Sequence, residues 1–335
     1  MMKPPVLSIA ICTHNPDRRT LARLLTAVLN LSGVSELEEI VLVDNNSQPR
    51  LDQWPEVSEF ISQLSGARYC YEAEPGLSAA RCRAIRETAA DVIVFFDDDN
   101  EPESDYLRVL SGRFEKYPSV AVWGPGTIDV EFIDETADEI RCRKDIFQAR
   151  RERDGFACIP GYYGDITPMG TGFAVRREVL RHYERLVTSG VLNLTGRNGK
   201  SMSSGEDTQI VWEAMKLGYA TGVVSNLRCR HLINGAKAND RYIGRLCFGL
   251  AASHLPALAQ CYPDLAQSMA YVPSLPFVWK RLFKLQVKHW IGRSSNLERV
   301  ITQASLLGSA YGSAIVKNDP RSERFKSLSG FYGFS

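Results

Sequence analysis

A chain of 335 residues is long enough for one large or two modest domains and for a sizeable core. At 44% hydrophobic and 24% charged its composition is that of an ordinary soluble protein, and a formal net charge of +1 argues neither for nor against an anionic partner; no nucleic-acid partner is expected. Eight cysteines without a CxxC pair or a His/Cys cluster argue against a structural zinc site and fit a reducing compartment. No apolar run reaches membrane-spanning length and the N-terminus enters a strand almost at once, so no signal peptide and a cytoplasmic location are expected.

In chain order, residues 6–12 predict a strand, followed by the loop Thr13-His14-Asn15-Pro16-Asp17 and a helical rhythm over 18–31. Residues 39–43 predict a second strand ending in Asp44-Asn45-Asn46-Ser47, and 67–71 a third. Pro75-Gly76-Leu77 reads as a turn, with Ser78 as the N-cap of a helix through residue 90. Strands alternating with helices over the first hundred residues predict a mostly parallel sheet covered on both faces. Residues 120–126 open a less regular region. A solvated helix is expected over the charged stretch 134–153, a loop over 157–168, a short strand over 171–175 and a helix over 176–186. The polar, glycine-rich stretch 195–205 predicts a mobile loop. A helix over 207–217 ends at Gly218, a normal C-cap, and a strand follows to His231. From about residue 236 the pattern turns helical, so a domain over 1–235, in halves of about 1–100 and 101–235, and a helical extension over 236–335 are expected.

The most informative stretch is Asp91-Val-Ile-Val-Phe-Phe-Asp-Asp-Asp-Asn100. Its apolar run is a buried strand, and a buried strand cannot hold three carboxylates. Asp97, Asp98 and Asp99 must therefore emerge at the carboxyl edge, where open α/β sheets bind ligands. Carboxylates crowded there repel one another unless a cation lies between them, and a hard divalent ion carrying phosphates answers that need. Taken alone, the same residues also suit a solvated loop or a helix cap.

Five further segments accompany it in order: Ser8 to Asn15, Val41 to Ser47, Gly76 to Arg81, Gly170 to Arg177 and Gly205-Glu206-Asp207. Together they resemble a family 2 glycosyltransferase with the GT-A, or nucleotide-diphospho-sugar transferase, fold: an α/β protein with a mostly parallel central sheet flanked by helices. The resemblance covers roughly the first two thirds of the chain. Cys82 departs from it, standing where the family often has Asn.

The resemblance implies roles residue by residue. Its Asp-x-Asp motif falls on Asp97, at the ribose side, and Asp99, the metal ligand, with Asp98 nearby and Mn²⁺ or Mg²⁺ as the cofactor. Asp44 would accept hydrogen bonds from the base, and a carboxylate suits the imide N–H of uracil. Thr13 and Asn15 would line the base pocket, and Arg81 would lie against base or phosphates. Turn chemistry is the competing reading for Asp44 and Asn15. Asp207 would be the general base that takes the acceptor's proton, with Glu206 as runner-up. Ser204 and Asp207 also fit a capping box, which would compete for the carboxylate. His231 would complete the metal's coordination, or serve structure alone. Gly172 would contact donor or acceptor, and Arg241 and Arg245, one helical turn apart, would contact the diphosphate or form a solvated basic face. Trp123 suits either a sugar platform or the core.

The implied activity is inverting transfer of a sugar from a nucleotide diphosphate, UDP first, to a hydroxyl of a saccharide or lipid-linked saccharide, in bacterial surface polysaccharide synthesis. The alternatives are a sugar-1-phosphate nucleotidyltransferase, disfavoured because Thr13 to Arg19 lacks a glycine-rich triphosphate loop, and a non-catalytic binding module of the same fold. Over 277–293 a helix would put Lys280, Arg281, Lys284 and Lys288 on one face and Trp279, Leu282, Phe283 and Trp290 on the other. That pattern suits either packing on the protein or peripheral contact with the inner membrane face.

Overall fold

The structure, a computed structural model, describes residues 4–194, 196 and 202–335. Of the loop expected over 195–205, Thr195 and residues 197–201 lie outside the described residues.

The chain alternates β1 (Leu7–Thr13), α1 (Arg18–Leu29), β2 (Ile40–Asn45), α2 (Pro55–Gln63), β3 (Ala67–Glu72), α3 (Leu77–Glu87) and β4 (Val92–Asp97). It continues through β5 (Asn100–Pro102), α4 (Tyr106–Lys116), β6 (Val120–Phe132), α5 (Asp138–Arg141), β7 (Arg150–Arg151), β8 (Gly155–Ala157), β9 (Ala174–Arg176), α6 (Arg177–Thr188), α7 (Glu206–Lys216) and β10 (Ala220–Ile233). Five helices close the chain: α8 (Asp240–Cys261), α9 (Pro263–Met269), α10 (Leu275–Trp290), α11 (Asn296–Val316) and α12 (Arg321–Phe331).

One sheet runs in the order β3-β2-β1-β4-β9-β6-β10-β5, with β7 on β6 and β8 on β10. The strands β3, β2, β1 and β4 are mutually parallel, as their intervening helices require. Beyond β4 the pairings of β9 with β4 and β6, and of β10 with β5 and β8, are antiparallel, so the parallel expectation holds for the N-terminal half of the sheet. The register brings three strand ends level: Cys12 lies opposite Asp97 and Thr13 opposite Asp44. Ile9, Ile11, Ile40, Leu42, Val92, Val94 and Phe96 pack with Leu21, Leu24, Val28 and Leu110 from α1 and α4 to form the main core.

The chain divides into two compact units. The first holds residues 1–131, 147–195 and 207–233 and contains the sheet; the second holds 132–146, 196–206 and 234–335. In the second unit α8 and α11 meet through small residues. A Cβ on Gly308 would stand 2.6 Å from the Phe248 carbonyl oxygen, and one on Gly312 would stand 2.6 Å from that of Ala252. Phe248, Val278, Leu282, Leu307 and Phe325 fill its core.

Three local expectations are corrected, and the alternative left open for Trp123 is decided. Ser78 is not the cap of α3: Gly76, at φ +132°, precedes the first helical residue, and the Ser78 hydroxyl donates to the Leu194 carbonyl at 2.6 Å. No solvated helix spans 134–153. Its charges serve a folded connection, in which Arg150 is buried and donates to the Thr167 carbonyl at 2.9 Å. Trp123 is core, edge-on to Tyr117 and Phe156. Leu282 is buried together with Val278, so it leaves the exposed aromatic face of α10.

All eight cysteines are free, and only Cys142 and Cys158 are exposed. The close approach of α8 and α11 makes Gly308 a stringent test of the second unit. Gly308→Val must push backbone apart and is expected to cost about 1–3 kcal/mol, read as a lower midpoint in thermal unfolding.

Candidate functional site

Strand β4 is paired on both sides and its residues 92–96 are buried. The chain therefore turns where its charges begin. The Asp97 amide donates to Asn100 Oδ1 at 3.1 Å, which shapes a tight turn over the acidic residues. Within it, Asp98 accepts from the Thr13 hydroxyl at 2.5 Å, tying the end of β1 to the acidic loop. Asp99 accepts from Asn100 Nδ2 at 2.9 Å through Oδ1. Its other oxygen, Oδ2, lies 3.3 Å from Nε2 of His231.

This last contact determines what the site can hold. His231 Nδ1 lies 2.8 Å from the Phe147 carbonyl oxygen, which can only accept, so Nδ1 carries a proton. In the neutral ring Nε2 then presents a lone pair to a carboxylate oxygen. Two electron-rich atoms at that distance call for a cation between them or a second proton on the ring. A ligating histidine whose other nitrogen donates to a backbone carbonyl is the usual outer-shell arrangement at metal sites. Asp99 and His231 therefore fit a divalent ion. Among the described residues no group of three or more His, Cys, Asp or Glu side chains could hold a metal ion, so phosphate or water oxygens must complete any coordination sphere here. The pair is held by register: His231 of β10 lies opposite Asn100 of β5. Arg23 of α1 braces that pairing, bonding Glu101 of β5 at 2.6 Å and Glu131 of β6 at 2.6 Å, and Arg230 of β10 also bonds Glu101. The Arg23 guanidinium beside Glu131 holds that carboxyl below its ordinary range.

Asp207 lies in the first turn of α7 and is half-buried. Its Oδ2 accepts from the Gly170 amide at 2.8 Å and its Oδ1 from the Thr208 amide at 2.8 Å. The capping box is not formed, since the Ser204 amide donates to Ser253 Oγ at 3.2 Å; Oδ1 accepts also from the Thr208 hydroxyl at 3.4 Å, and the half-exposed carboxylate is not taken up by a cap. Glu206, the runner-up, is buried at 3% exposure. Arg81 is also buried, its guanidinium over Phe173 at 5.1 Å and over Phe95 at 5.9 Å. A Cβ on Gly170 would stand 2.9 Å from both Arg81 Nη2 and Asp207 Oδ2. Any side chain at this position would press on the Arg81 guanidinium and the Asp207 carboxylate.

Three expected contacts take other forms. Asp44 is fully buried and is the anchor of its own turn: Oδ1 accepts from the Ser47 amide at 2.9 Å, and Oδ2 from the Leu51 amide at 2.9 Å and the Tyr69 hydroxyl at 2.8 Å. It exposes no surface to a base. Burial first, then this hydrogen bond, raises the Tyr69 phenol above its ordinary pKa. Asn15 adopts φ +48° and joins the first two strand ends, its amide donating to Ser47 Oγ at 2.9 Å and its Oδ1 accepting from the Gln48 amide at 2.8 Å. Gly172, at φ +69°, faces inward; a Cβ there would meet the Tyr106 hydroxyl at 2.5 Å, and that hydroxyl donates to the Gly172 carbonyl. It is a packing glycine, and Gly170, two residues earlier, is the one at the site. Arg241 and Arg245 lie on α8 in the second unit, Arg241 exposed and Arg245 half-buried. Gly170 and Asn100 lie in segments that the sequence already singles out, without roles of their own there, whereas Phe147 carries no local signal.

A half-parallel α/β sheet whose carboxyl edge carries this acidic turn defines the GT-A class of fold. The chain belongs to glycosyl transferase family 2, whose sequence model matches residues 8–183. It is 30% identical over 120 residues to polypeptide N-acetylgalactosaminyltransferase 5 of Caenorhabditis elegans, covering 35% of this chain and 19% of that protein. It is 27% identical over 232 residues to the probable glycosyltransferase YdaM of Bacillus subtilis (strain 168), covering 65% of this chain and 49% of that protein. The chain thus spans about a fifth of the first relative and about half of the second. A crystal structure of GalNAc-T7 with UDP, GalNAc and Mn²⁺ resembles it with a TM-score of 0.49 at 18% identity, over 79% of this chain and 52% of that one.

The burial of Asp44 predicts that it acts on stability first. Asp44→Ala strands two amides and a phenol, and a loss of about 3 kcal/mol or more is expected in denaturant unfolding, whether or not a nucleotide is present.

Proposed function

We propose that this protein transfers a sugar from a nucleotide diphosphate to a hydroxyl of a saccharide or lipid-linked saccharide, with inversion at the anomeric carbon. The observation that carries the proposal is the Asp99 and His231 pair, 3.3 Å apart, with the imidazole tautomer set by Phe147. Two protein ligands leave most of a divalent ion's coordination to the diphosphate. A Mn²⁺ or Mg²⁺ ion bound there would offset the negative charge of the departing nucleotide.

The chain's own groups do the rest. Asp98, held by Thr13, and Asp97 border the donor at the level ends of β1 and β4. Asp207 takes the acceptor's proton, kept in orientation by the Gly170 and Thr208 amides. Arg81, close to the same Gly170, supplies fixed positive charge beside that carboxylate. A single base suffices for one in-line displacement, which is the basis for proposing inversion. Uridine is proposed as the base from the family pattern, since Asp44 is taken up by its own turn. Surface polysaccharide assembly is the proposed setting from the family pattern alone. The non-catalytic alternative has a specific footing, since a relative from Macaca fascicularis, 32% identical over 123 residues and covering 35% of this chain and 27% of that protein, is described as inactive.

A thermal-shift comparison of UDP, GDP, CDP and dTDP, with and without Mn²⁺, tests the donor site. A metal-dependent rise in the melting midpoint with UDP is expected, and its loss in Asp99→Ala. A rise with another nucleotide reassigns the base, and no rise with any overturns the donor reading. Asp207→Asn is expected to keep the shift while turnover falls about 10²- to 10⁴-fold. Unchanged turnover removes Asp207 as the base. The anomeric configuration of the product, read by proton NMR, decides inversion.

A further inference from the structure

Helix α10 has three faces rather than two. Val278 and Leu282 are buried in the core of the second unit. Trp279, Phe283 and Trp290 are 51%, 65% and 70% exposed, and they fall within about 40° of arc on a helix that turns about 100° per residue. The remaining arc carries Lys280, Arg281, Lys284 and Lys288, all exposed. Ile291, 58% exposed, and Arg293 continue the surface past the helix end. Of the other tryptophans, Trp123 and Trp212 are fully buried and Trp54 is partly buried, whereas Tyr271 and Phe331 outside α10 are 74% and 81% exposed.

The charge around this face is one-sided. Between Asp264 and Glu298 there is no acidic residue, while Lys280, Arg281, Lys284, Lys288 and Arg293 are all basic, in a chain whose net charge is +1. The charged side chains of this stretch are thus all basic and lie beside the exposed tryptophans.

We propose that α10 is a docking helix for an anionic lipid bilayer surface. The helix lies in the interface with Trp279, Phe283 and Trp290 among the headgroups and the lysine arc on lipid phosphates. Indole and phenyl rings favour that interfacial depth, and Lys or Arg beside them gain from the negative surface potential. The helix has 16 residues, and among the described residues no helix is long and apolar enough to cross a membrane, so the contact is peripheral. A second copy of the chain is a poorer occupant. An isologous pairing of this face would bring one basic arc against another. The proposal is independent of the donor and of the base residue proposed above.

The test is co-sedimentation with phosphatidylcholine vesicles, with and without about one third phosphatidylglycerol, together with tryptophan emission. The expected result is binding to the anionic vesicles only, with a blue shift as Trp279 and Trp290 leave water. The double variants Phe283→Ser/Trp290→Ser and Lys280→Glu/Lys284→Glu should each weaken binding about tenfold or more, with unchanged melting midpoints because all four side chains are exposed. Absence of binding by the unaltered protein overturns the proposal, as does binding that neither variant weakens. A dimer in sedimentation velocity that Phe283→Ser/Trp290→Ser dissociates, without vesicle binding, assigns the face to a second copy instead.

Discussion

A buried strand cannot carry a charge, and the architecture around the site follows from where β4 stops being buried. Val92 to Phe96 are enclosed by helices above and below and hydrogen-bonded to β1 and β9 at the sides. Three consecutive carboxylates then leave the chain no choice but to turn. Asn100 closes that turn through the Asp97 amide, which sends the backbone into β5 and so into register with β10. His231 reaches Asp99 because of that register. The facing of His231 Nε2 and the Asp99 carboxylate at 3.3 Å, which calls for a cation or a second ring proton between them, is the local consequence of a global pairing.

The second feature of the site is economy in its polar groups. Asp207, Asp99 and Asp44 are all carboxylates near strand or helix ends, yet they differ in what remains available. Asp44 gives both oxygens to three donors inside its own turn. Asp99 gives one oxygen to Asn100 and turns the other to His231. Asp207 accepts one amide per oxygen and stays half-exposed. Residue type alone does not separate these roles, because the number and direction of donors around each one is a property of packing.

Much of the fold was legible in the order of the segments. The alternation of apolar strands and amphipathic helices through Asp97 was enough for the parallel half of the sheet, since two parallel strands need a crossover between them. The charged stretch from Asp134 to Arg153 misled for an equally physical reason. Helical propensity scores Arg and Glu as helix formers, but Arg150 is drawn inside by the carbonyls of the 165–167 loop, which no local pattern announces. Ser78 resembled a cap and became a tether to Leu194 because Gly76, with its positive φ, already made the turn.

Sequence by itself determined the family, the acidic edge of β4, the basic and aromatic character of α10, and the residues from which a site had to be built. All of these depend on neighbours a few positions apart, within reach of hydrophobic periodicity and motif spacing. Tertiary structure alone decided that Phe147 sets the tautomer of His231, that Gly170 rather than Gly172 lies at the carboxylate of Asp207, and that Leu282 is buried while Trp279, Phe283 and Trp290 are not. Each of those is a contact between residues far apart in the chain, or a choice of which side of a helix meets the core. Such choices are made by the packing of whole elements, whose free energy is summed over surfaces that no short segment contains.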